Sequence, residues 1–274
     1  MTTWVDGNEP VEQPIAVMGW VRIIMRAVVI VTLIAVCLTV LLVLRLIERP
    51  IYGLRRPFTP YITQFVCRTS LLILRLPLRV HGQPLHGRAA VVSNHTSWLD
   101  IFVLNASKRI FFVSKSEVAG WAGIGILARS TGTLFIKRER REALAQTKIM
   151  QERLLAGQKL LFFPEGTSTD GLQVIPFKTT LFAAFMAPEL RDVLQVQPVS
   201  VIYHAPKGED ARFYGWWGDM SFGSHLLRTL ACPKRGRIDI VYHPALKVAD
   251  FSDRKALAKA CETAVRAGHQ HHRG

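Results

Sequence analysis

Residues 89–100 of the chain are Ala89-Ala90-Val91-Val92-Ser93-Asn94-His95-Thr96-Ser97-Trp98-Leu99-Asp100, and they indicate both the fold class and a candidate site. Its first half is a short apolar run, typical of a strand buried on both faces, and its second half leads into a predicted helix at 98–105. His95 therefore follows the carboxyl end of a strand, where the sites of parallel sheets gather. An imidazole can take a proton from a hydroxyl near neutral pH, and a carboxylate such as Asp100 can fix its tautomer. We expect Thr96 or Ser97 to cap the helix.

Strands and helices alternate through the rest of the chain. Strands are predicted at 79–81, 89–93, 110–114, 133–136, 160–163, 196–202 and 238–242, and helices at 98–105, 118–129, 139–155, 179–187 and 252–266. This alternation predicts an α/β fold with a mostly parallel central sheet and helices on both faces. We expect residues 1–80 to form membrane-anchoring helices and residues 81–274 to form the α/β domain, with 269–272 in a frayed terminus.

The overall composition favours a membrane surface as partner. The 274 residues carry a net charge of +15, yet 49% of them are hydrophobic. A chain both basic and apolar suits anionic lipid, and it lacks the basic arm, recognition helix or RNP pattern of a nucleic-acid binder, so no nucleic acid is expected. The four cysteines lie far apart without metal spacing. That pattern predicts reduced thiols in the cytoplasm and neither a disulfide framework nor a metal.

An uncharged apolar run at 27–44 predicts an N-terminal membrane helix. Its 18 residues measure about 27 Å as a helix, just long enough to span a bilayer. A cleaved signal peptide is the alternative, but the preceding segment is long and acidic, and no small-x-small cleavage site follows. More arginines follow the run (Arg45, Arg49, Arg55, Arg56) than precede it (Arg22, Arg26), which favours a cytoplasmic position for the later part of the chain.

A second segment, 61–80, mixes apolar residues with Arg68, Arg75 and Arg79. Their spacing puts the three arginines on one helical face, which predicts an interfacial helix on anionic headgroups. A core helix with a solvated arginine stripe would show the same pattern. We expect Pro77 to end this helix.

Two further segments place polar residues after predicted strands, and a third places a cation before a predicted helix. Gly132 to Arg138 ends in Lys137 and Arg138, which are either a solvated edge or a pair that holds an anionic headgroup. Phe162 to Ser168 carries Glu165, Gly166, Thr167 and Ser168, which form either an ordinary turn or a place where backbone and hydroxyl groups meet a ligand. Lys178 adds a cation at a predicted helix start.

Together these segments resemble the glycerolipid acyltransferase family. Its Asn-His-x4-Asp motif is met at Asn94, His95 and Asp100, its Gly-x-x-Phe-Ile-x-Arg motif from Gly132 to Arg138, its Phe-Pro-Glu-Gly-Thr motif from Phe163 to Thr167, and a Pro-Val element at Pro198-Val199. The resemblance implies that His95 and Asp100 are catalytic and that no cofactor is needed. It implies substrate binding by Asn94, Lys137, Arg138, Glu165, Gly166, Thr167, Ser168 and Lys178.

One departure bears on the acceptor lipid. Family members that act on lysophosphatidic acid carry arginine after Glu-Gly-Thr, whereas this chain has Ser168. The segment Phe163 to Gly171 resembles lyso-ornithine lipid O-acyltransferases instead, which implies a lyso-ornithine lipid as acceptor and an acyl thioester of acyl carrier protein or CoA as donor. The resemblance further implies a cell inner membrane location with the catalytic domain on the cytoplasmic side. The alternatives are a 1-acylglycerol-3-phosphate acyltransferase and a non-catalytic lipid-binding module.

Overall fold

The computed structural model of the chain describes residues 4, 5, 7, 10, 14–87, 89–137 and 142–273. The strands of this described part are β1 Leu78–His81, β2 Ala89–Ser93, β3 Phe111–Lys115, β4 Leu134–Ile136, β5 Leu160–Phe162, β6 Gln195–His204, β7 Arg237–Tyr242 and β8 Leu246–Lys247. The α-helices are α1 Val17–Tyr52, α2 Thr59–Ile73, α3 Asp100–Ser107, α4 Ile124–Thr131, α5 Ala143–Leu155, α6 Pro188–Arg191, α7 Phe222–Ala231 and α8 Arg254–Arg273. Short 3-10 helices lie at Ser116–Gly120, Leu181–Met186 and Val248–Asp250.

The strands form one mixed sheet in the order β1-β7-β6-β2-β5-β3-β4, with β8 beside β6. From β6 to β4 every neighbouring pair is parallel, and only β7 and β8 pair antiparallel with β6. The mostly parallel sheet predicted from the alternation is therefore confirmed. Because β2, β5 and β6 run in the same direction, their carboxyl ends lie at one edge of the sheet.

Each face of the sheet is covered by helices, as predicted. Successive residues of β2 point to opposite faces, so Val91 belongs to one apolar core and Ala90 and Val92 to the other. The first core contains residues of α1, α2 and α3, and the second contains residues of α5 and α8. Because both faces of β2 are buried, the strand is a continuous apolar run rather than an alternating one.

The two N-terminal helices form an antiparallel hairpin on the first core. α1 is 36 residues long, about 54 Å, and is the one helix of the described part that is long and apolar enough to cross a membrane. Near its start Ile23 is buried in the first core, and Arg22 and Arg26 donate to the carbonyls at the end of α7. Near its end Glu48 accepts the amide of Thr59 at the start of α2. Both ends of α1 therefore contact the rest of the chain.

The interfacial-helix prediction was too long. α2 ends at Ile73, and Arg75 has a positive φ of 59°, so the chain leaves the helix before Pro77. Of the three arginines only Arg68 is on the helix, where it donates to the carbonyl of Ala106, so the predicted arginine stripe does not form. One side of α2 is buried, and its exposed side carries apolar residues, namely Tyr61, Phe65 and Leu72.

Several helix boundaries differ from the predicted ones. The predicted helix at 118–129 is broken at Gly123, whose φ of 71° no helix residue adopts, and it forms a 3-10 turn followed by α4. The predicted helix at 179–187 is a 3-10 helix followed by α6. α7 and β8 were not predicted. The predicted frayed terminus at 269–272 is wrong, because α8 continues through Arg273 and buries His269.

Candidate active site

His95 and Asp100 form the centre of the candidate site. His95 lies two residues after the end of β2, and Asp100 is the first residue of α3. The imidazole Nδ1 lies 2.7 Å from Oδ2 of Asp100. The same Oδ2 accepts the amides of Thr96 and Ser97, so Asp100 organises the turn instead of being capped by it. The prediction that Thr96 or Ser97 caps α3 is therefore wrong.

The other carboxylate oxygen of Asp100 accepts a hydrogen bond from Tyr203. The phenol oxygen of this β6 residue lies 2.7 Å from Oδ1 of Asp100, and both side chains are buried. Burial raises the pKa of Tyr203, and the adjacent Asp100 charge raises it further, so the phenol keeps its proton and donates. Tyr203 is not among the predicted site residues, although it falls just beyond a predicted strand that ends at the same edge of the sheet.

The imidazole ring of His95 packs on an aromatic ring and remains partly exposed. Its ring stacks on Phe163 with centroids 4.0 Å apart and an interplanar angle of 9°. The His95 side chain keeps 21% of its surface exposed, while that of Asp100 keeps none. Nε2 has no hydrogen-bond partner among the residues that the structure describes. With Nδ1 bound to a carboxylate, Nε2 is the nitrogen left to act as a base towards a hydroxyl.

Glu165 holds the backbone around His95 in place. Its Oε2 accepts the amide of His95 at 2.6 Å, and its Oε1 accepts the amide of Ile175 at 2.9 Å. The residue has no exposed surface, which argues against the predicted role of Glu165 in binding substrate. Burial raises the pKa of Glu165 to about 8, against the opposing effect of the two N–H groups. The geometry makes Glu165 a positioning residue.

The side chain of Asn94 links β2 to β6 by hydrogen bonds. Its Nδ2 donates to the carbonyl of Val201 and its Oδ1 accepts the amide of the same residue, at 2.9 and 2.8 Å. The side chain is buried, and this pair of bonds uses both ends of its amide group. The predicted role of Asn94 in binding substrate is therefore not supported by the geometry, which gives it a structural role next to His95.

The remaining predicted binding residues surround this centre to different degrees. Ser168 is buried, whereas Gly166 and Thr167 are half-buried in the turn after β5. The amide of Gly166 donates to the carbonyl of Phe163, so it is committed to the turn and not available as an oxyanion donor. Lys137 is exposed and pairs with Glu142 at 3.1 Å, and Lys178 is exposed. Arg138 lies outside the described residues.

The loop after Ser168 ties this centre to the end of α8. The amide of Thr169 donates to the carbonyl of His95 at 3.0 Å. Two residues later, the carbonyl of Gly171 accepts bonds from Nε2 of His269 and from the guanidinium of Arg273. Burial lowers the pKa of His269 to about 4, so the ring is neutral and Nε2 carries the donated proton. The end of α8, expected to be frayed, instead supports the site.

The arrangement of His95 and Asp100 suits proton transfer from an alcohol. Among the described residues no group of three or more histidine, cysteine or acidic side chains is placed to hold a metal ion. The half-exposed imidazole of His95, oriented by the buried carboxylate of Asp100, can remove a proton from an alcohol and return it to a leaving group.

Comparisons with known proteins agree with this chemistry. A family profile described as Acyltransferase matches residues 77–202. The chain is 53% identical to a lyso-ornithine lipid O-acyltransferase from Rhodobacter capsulatus over 97% of this chain and 96% of the relative. It is 37% identical to a lyso-ornithine lipid O-acyltransferase from Brucella abortus over 78% of this chain and 82% of that relative. It is 31% identical to a 1-acyl-sn-glycerol-3-phosphate acyltransferase from Neisseria meningitidis over 65% of this chain and 68% of that relative.

The fold is similar to a solved structure. The crystal structure of a 1-acyl-sn-glycerophosphate acyltransferase from Thermotoga maritima superposes with a TM-score of 0.63 over 92% of this chain and 97% of that chain, at 19% identity. The chain belongs to the acyltransferase family, and it is an enzyme that transfers acyl groups. With its exposed apolar helix α1, this membership indicates lipid substrates and association with a membrane.

Proposed function

We propose that the chain is a lyso-ornithine lipid O-acyltransferase, which moves a fatty acyl group from a thioester to the hydroxyl of a lyso-ornithine lipid. The observation that carries the chemistry is the His95–Asp100 pair with its outward Nε2. The acceptor is supported by the two lyso-ornithine lipid O-acyltransferases described above and by Ser168, which stands where a phosphate-binding arginine is expected. The second candidate acceptor is lysophosphatidic acid, favoured by the Neisseria relative.

The mechanism follows from the position of the imidazole. Nε2 of His95 removes the proton from the acceptor hydroxyl while the oxygen attacks the thioester carbonyl carbon. Asp100 stabilises the resulting imidazolium through Nδ1, and Tyr203 and the turn amides hold that carboxylate in position. The tetrahedral intermediate then collapses, the C–S bond breaks, and the imidazolium returns its proton to the thiolate. An ester and a free thiol result, and no acyl-enzyme is required.

The donor is either an acyl carrier protein or CoA. Both are anionic, and the net charge of +15 suits either of them. Arg138, Lys137 and Lys178 remain candidates for binding anionic parts of the substrates. Gly166 and Thr167 in the neighbouring turn remain candidates for substrate contact through close backbone approach and the Thr167 hydroxyl.

The membrane assignment rests on the first two helices. We assign residues 1–80 to membrane attachment and 81–274 to the acyltransferase domain, in a cell inner membrane with the domain on the cytoplasmic side. Because both ends of α1 contact the same body, we place the hairpin within the cytoplasmic leaflet, with its exposed apolar side covered by acyl chains.

The experiment compares His95→Ala with His86→Ala in the purified chain in non-ionic detergent. His86 is exposed and precedes the amino end of β2, whereas His95 follows its carboxyl end, so His86→Ala controls for the loss of a histidine. We expect His95→Ala to lower acyl transfer by about 10² to 10⁴-fold with an unchanged melting temperature, and His86→Ala to be active. Full turnover in His95→Ala would overturn the mechanism.

The acceptor is decided in a separate assay. Wild type is given lyso-ornithine lipid and lysophosphatidic acid in the same reaction, once with acyl carrier protein and once with CoA as the carrier. We expect ester formation mainly on lyso-ornithine lipid. A clear preference for lysophosphatidic acid would refute the assignment of the acceptor while leaving acyl transfer by His95 intact.

A further inference from the structure

A groove of about 390 Å³ lies between the hairpin turn and the sheet, and we call it the hairpin groove. It lies at the amino ends of β3 and β5, whereas His95 follows the carboxyl end of the parallel strand β2. The groove is therefore at the opposite edge of the sheet from the candidate active site. The lining residues that bear on its chemistry are Tyr52, Arg55, Arg56, Arg109, Phe111 and Lys159.

The charges that line the hairpin groove are all positive. Four of its lining residues are basic, and no carboxylate is among those that the structure describes there. The guanidinium of Arg109 stacks on Tyr61 at 4.0 Å from the ring centre, which holds it beside the groove. The side chains of Arg55 and Lys159 have no hydrogen-bond or ion-pair partner within the described ranges. Burial lowers the pKa of Lys159, and the neighbouring Lys108 and Arg109 lower it further.

Two half-buried guanidinium groups add to the positive charge behind the groove. Arg56 donates to the carbonyl of Ser130 and Arg153 to that of Gly132, and both lie near the ring of Phe111. Burial lowers the pKa of each to about 10; repulsion from Arg45 adds to the effect at Arg56, and repulsion from Arg56 adds to it at Arg153.

Glu48, the carboxylate that attracts Arg56, is already hydrogen-bonded to other groups. Glu48 attracts the guanidinium of Arg56, but its oxygens accept bonds from the amides of Phe58 and Thr59, from the Thr59 hydroxyl and from Arg45. The chain therefore gathers cations at this groove without supplying a counter-charge in its lining. Unpaired cations brought together in a partly buried groove are a binding site for an anion.

The rim of the hairpin groove indicates the source of that anion. The hairpin turn exposes apolar and aromatic side chains beside the cations, among them Tyr52, Leu54 and Phe58. Aromatic and basic residues side by side are typical of the level at which lipid headgroups meet acyl chains. A soluble phosphate would use the cations but would leave this apolar rim uncovered.

We propose that the hairpin groove binds the phosphate group of an anionic phospholipid, at a site separate from the one that transfers acyl groups. Arg55 and Lys159 contact the phosphate, Arg109 closes one side, and the exposed side chains of the turn pack against the lipid's glycerol and upper acyl chain. The site fixes the hairpin against the sheet edge, and its occupancy does not depend on turnover.

The test measures the melting temperature of the full chain in non-ionic detergent micelles during titration with phosphatidylglycerol, phosphatidylcholine or inorganic phosphate. The double variant Arg55→Gln/Lys159→Gln removes the two unpartnered cations. Arg55→Lys/Lys159→Arg keeps both charges. Arg254→Gln/Lys255→Gln removes two charges from exposed positions at the start of α8. None of these residues belongs to the site around His95.

We expect phosphatidylglycerol to raise the melting temperature saturably and phosphatidylcholine not to do so. The Gln pair in the groove should weaken the apparent affinity about thirtyfold, while the charge-preserving pair and the α8 pair retain it. Equal stabilisation by inorganic phosphate would overturn the lipid as occupant and leave a free-phosphate site. An unsaturable shift, or equal affinity in the groove variant and wild type, would overturn the site itself.

Discussion

Replacing Tyr203 by phenylalanine tests how the site holds its carboxylate. The change removes the single hydrogen bond to Oδ1 of Asp100, while Oδ2 keeps three donors: Nδ1 of His95 and two backbone amides. A buried bond to a charged acceptor contributes about 1.5–3 kcal/mol. We therefore expect the free energy of unfolding to fall by about that amount. Since His95 keeps its partner, we expect kcat to fall only about tenfold, equivalent to about 1.4 kcal/mol in the barrier.

Tyr242→Phe is the matched control for this substitution. Tyr242 lies in β7 and its phenol bonds the hydroxyl of Ser107 at 2.8 Å, far from His95 in the hydrogen-bond network. It should lose about 0.5–1.5 kcal/mol of stability, the range for a bond between neutral groups, and keep its kcat. Unfolding in urea and steady-state acyl transfer measure the two quantities on the same preparations.

A double-mutant cycle with Asp100→Asn separates catalysis from packing. If Tyr203 acts through Asp100, then Tyr203→Phe should change kcat less than about twofold once the carboxylate is gone. An equal tenfold fall in both backgrounds would show that Tyr203 contributes independently of Asp100. A normal kcat in Tyr203→Phe alone would refute the reasoning altogether.

Three further predictions concern the supporting structure. Asn94→Ala loses both bonds to Val201 and should cost about 2–4 kcal/mol in urea unfolding; a loss confined to KM would contradict this role. Glu165 has a pKa raised from 4.5 to about 8, so the folded chain binds more protons between these values and its stability should fall as pH rises from about 4.5 to 8. Glu165→Gln should flatten that slope, and an unchanged slope would rule out Glu165 as its source. Gly132→Ala places a Cβ 2.8 Å from the guanidinium carbon of Arg56 at a φ of 89°, and should lower the melting temperature; an unchanged value would show that Arg56 can move away freely.

The His95–Asp100 pair could be predicted from the sequence because its two residues are close together in the chain. His95 and Asp100 are five residues apart, and one strand-to-helix turn is enough to bring them together. Tyr203 is 103 residues from its partner Asp100, and no spacing rule links a tyrosine at the end of one strand to a carboxylate on a helix. That contact depends on β6 lying beside β2, which the alternation of elements does not specify.

Two features of the fold depend on distant contacts in the same way. Periodicity shows that β7 is a buried strand but contains no information on its direction, and the structure runs it antiparallel to β6. The histidine-rich end of α8 has the composition of a solvated terminus. It is ordered by a distant contact, the bonds from His269 and Arg273 to the carbonyl of Gly171.

The bonds from Arg26 to the last carbonyls of α7 have a consequence for synthesis of the chain. Arg26 and its acceptor Leu230 are 204 residues apart in the chain. At about 5–20 residues per second, translation leaves α1 without this partner for about 10 to 40 s. During that interval a nascent helix of such hydrophobicity needs the bilayer or a chaperone to shield it. A shortened chain that begins after α2 would lack Ile23 and Leu71 from its first core, so removing α1 and α2 should yield an aggregating polypeptide and not a soluble enzyme.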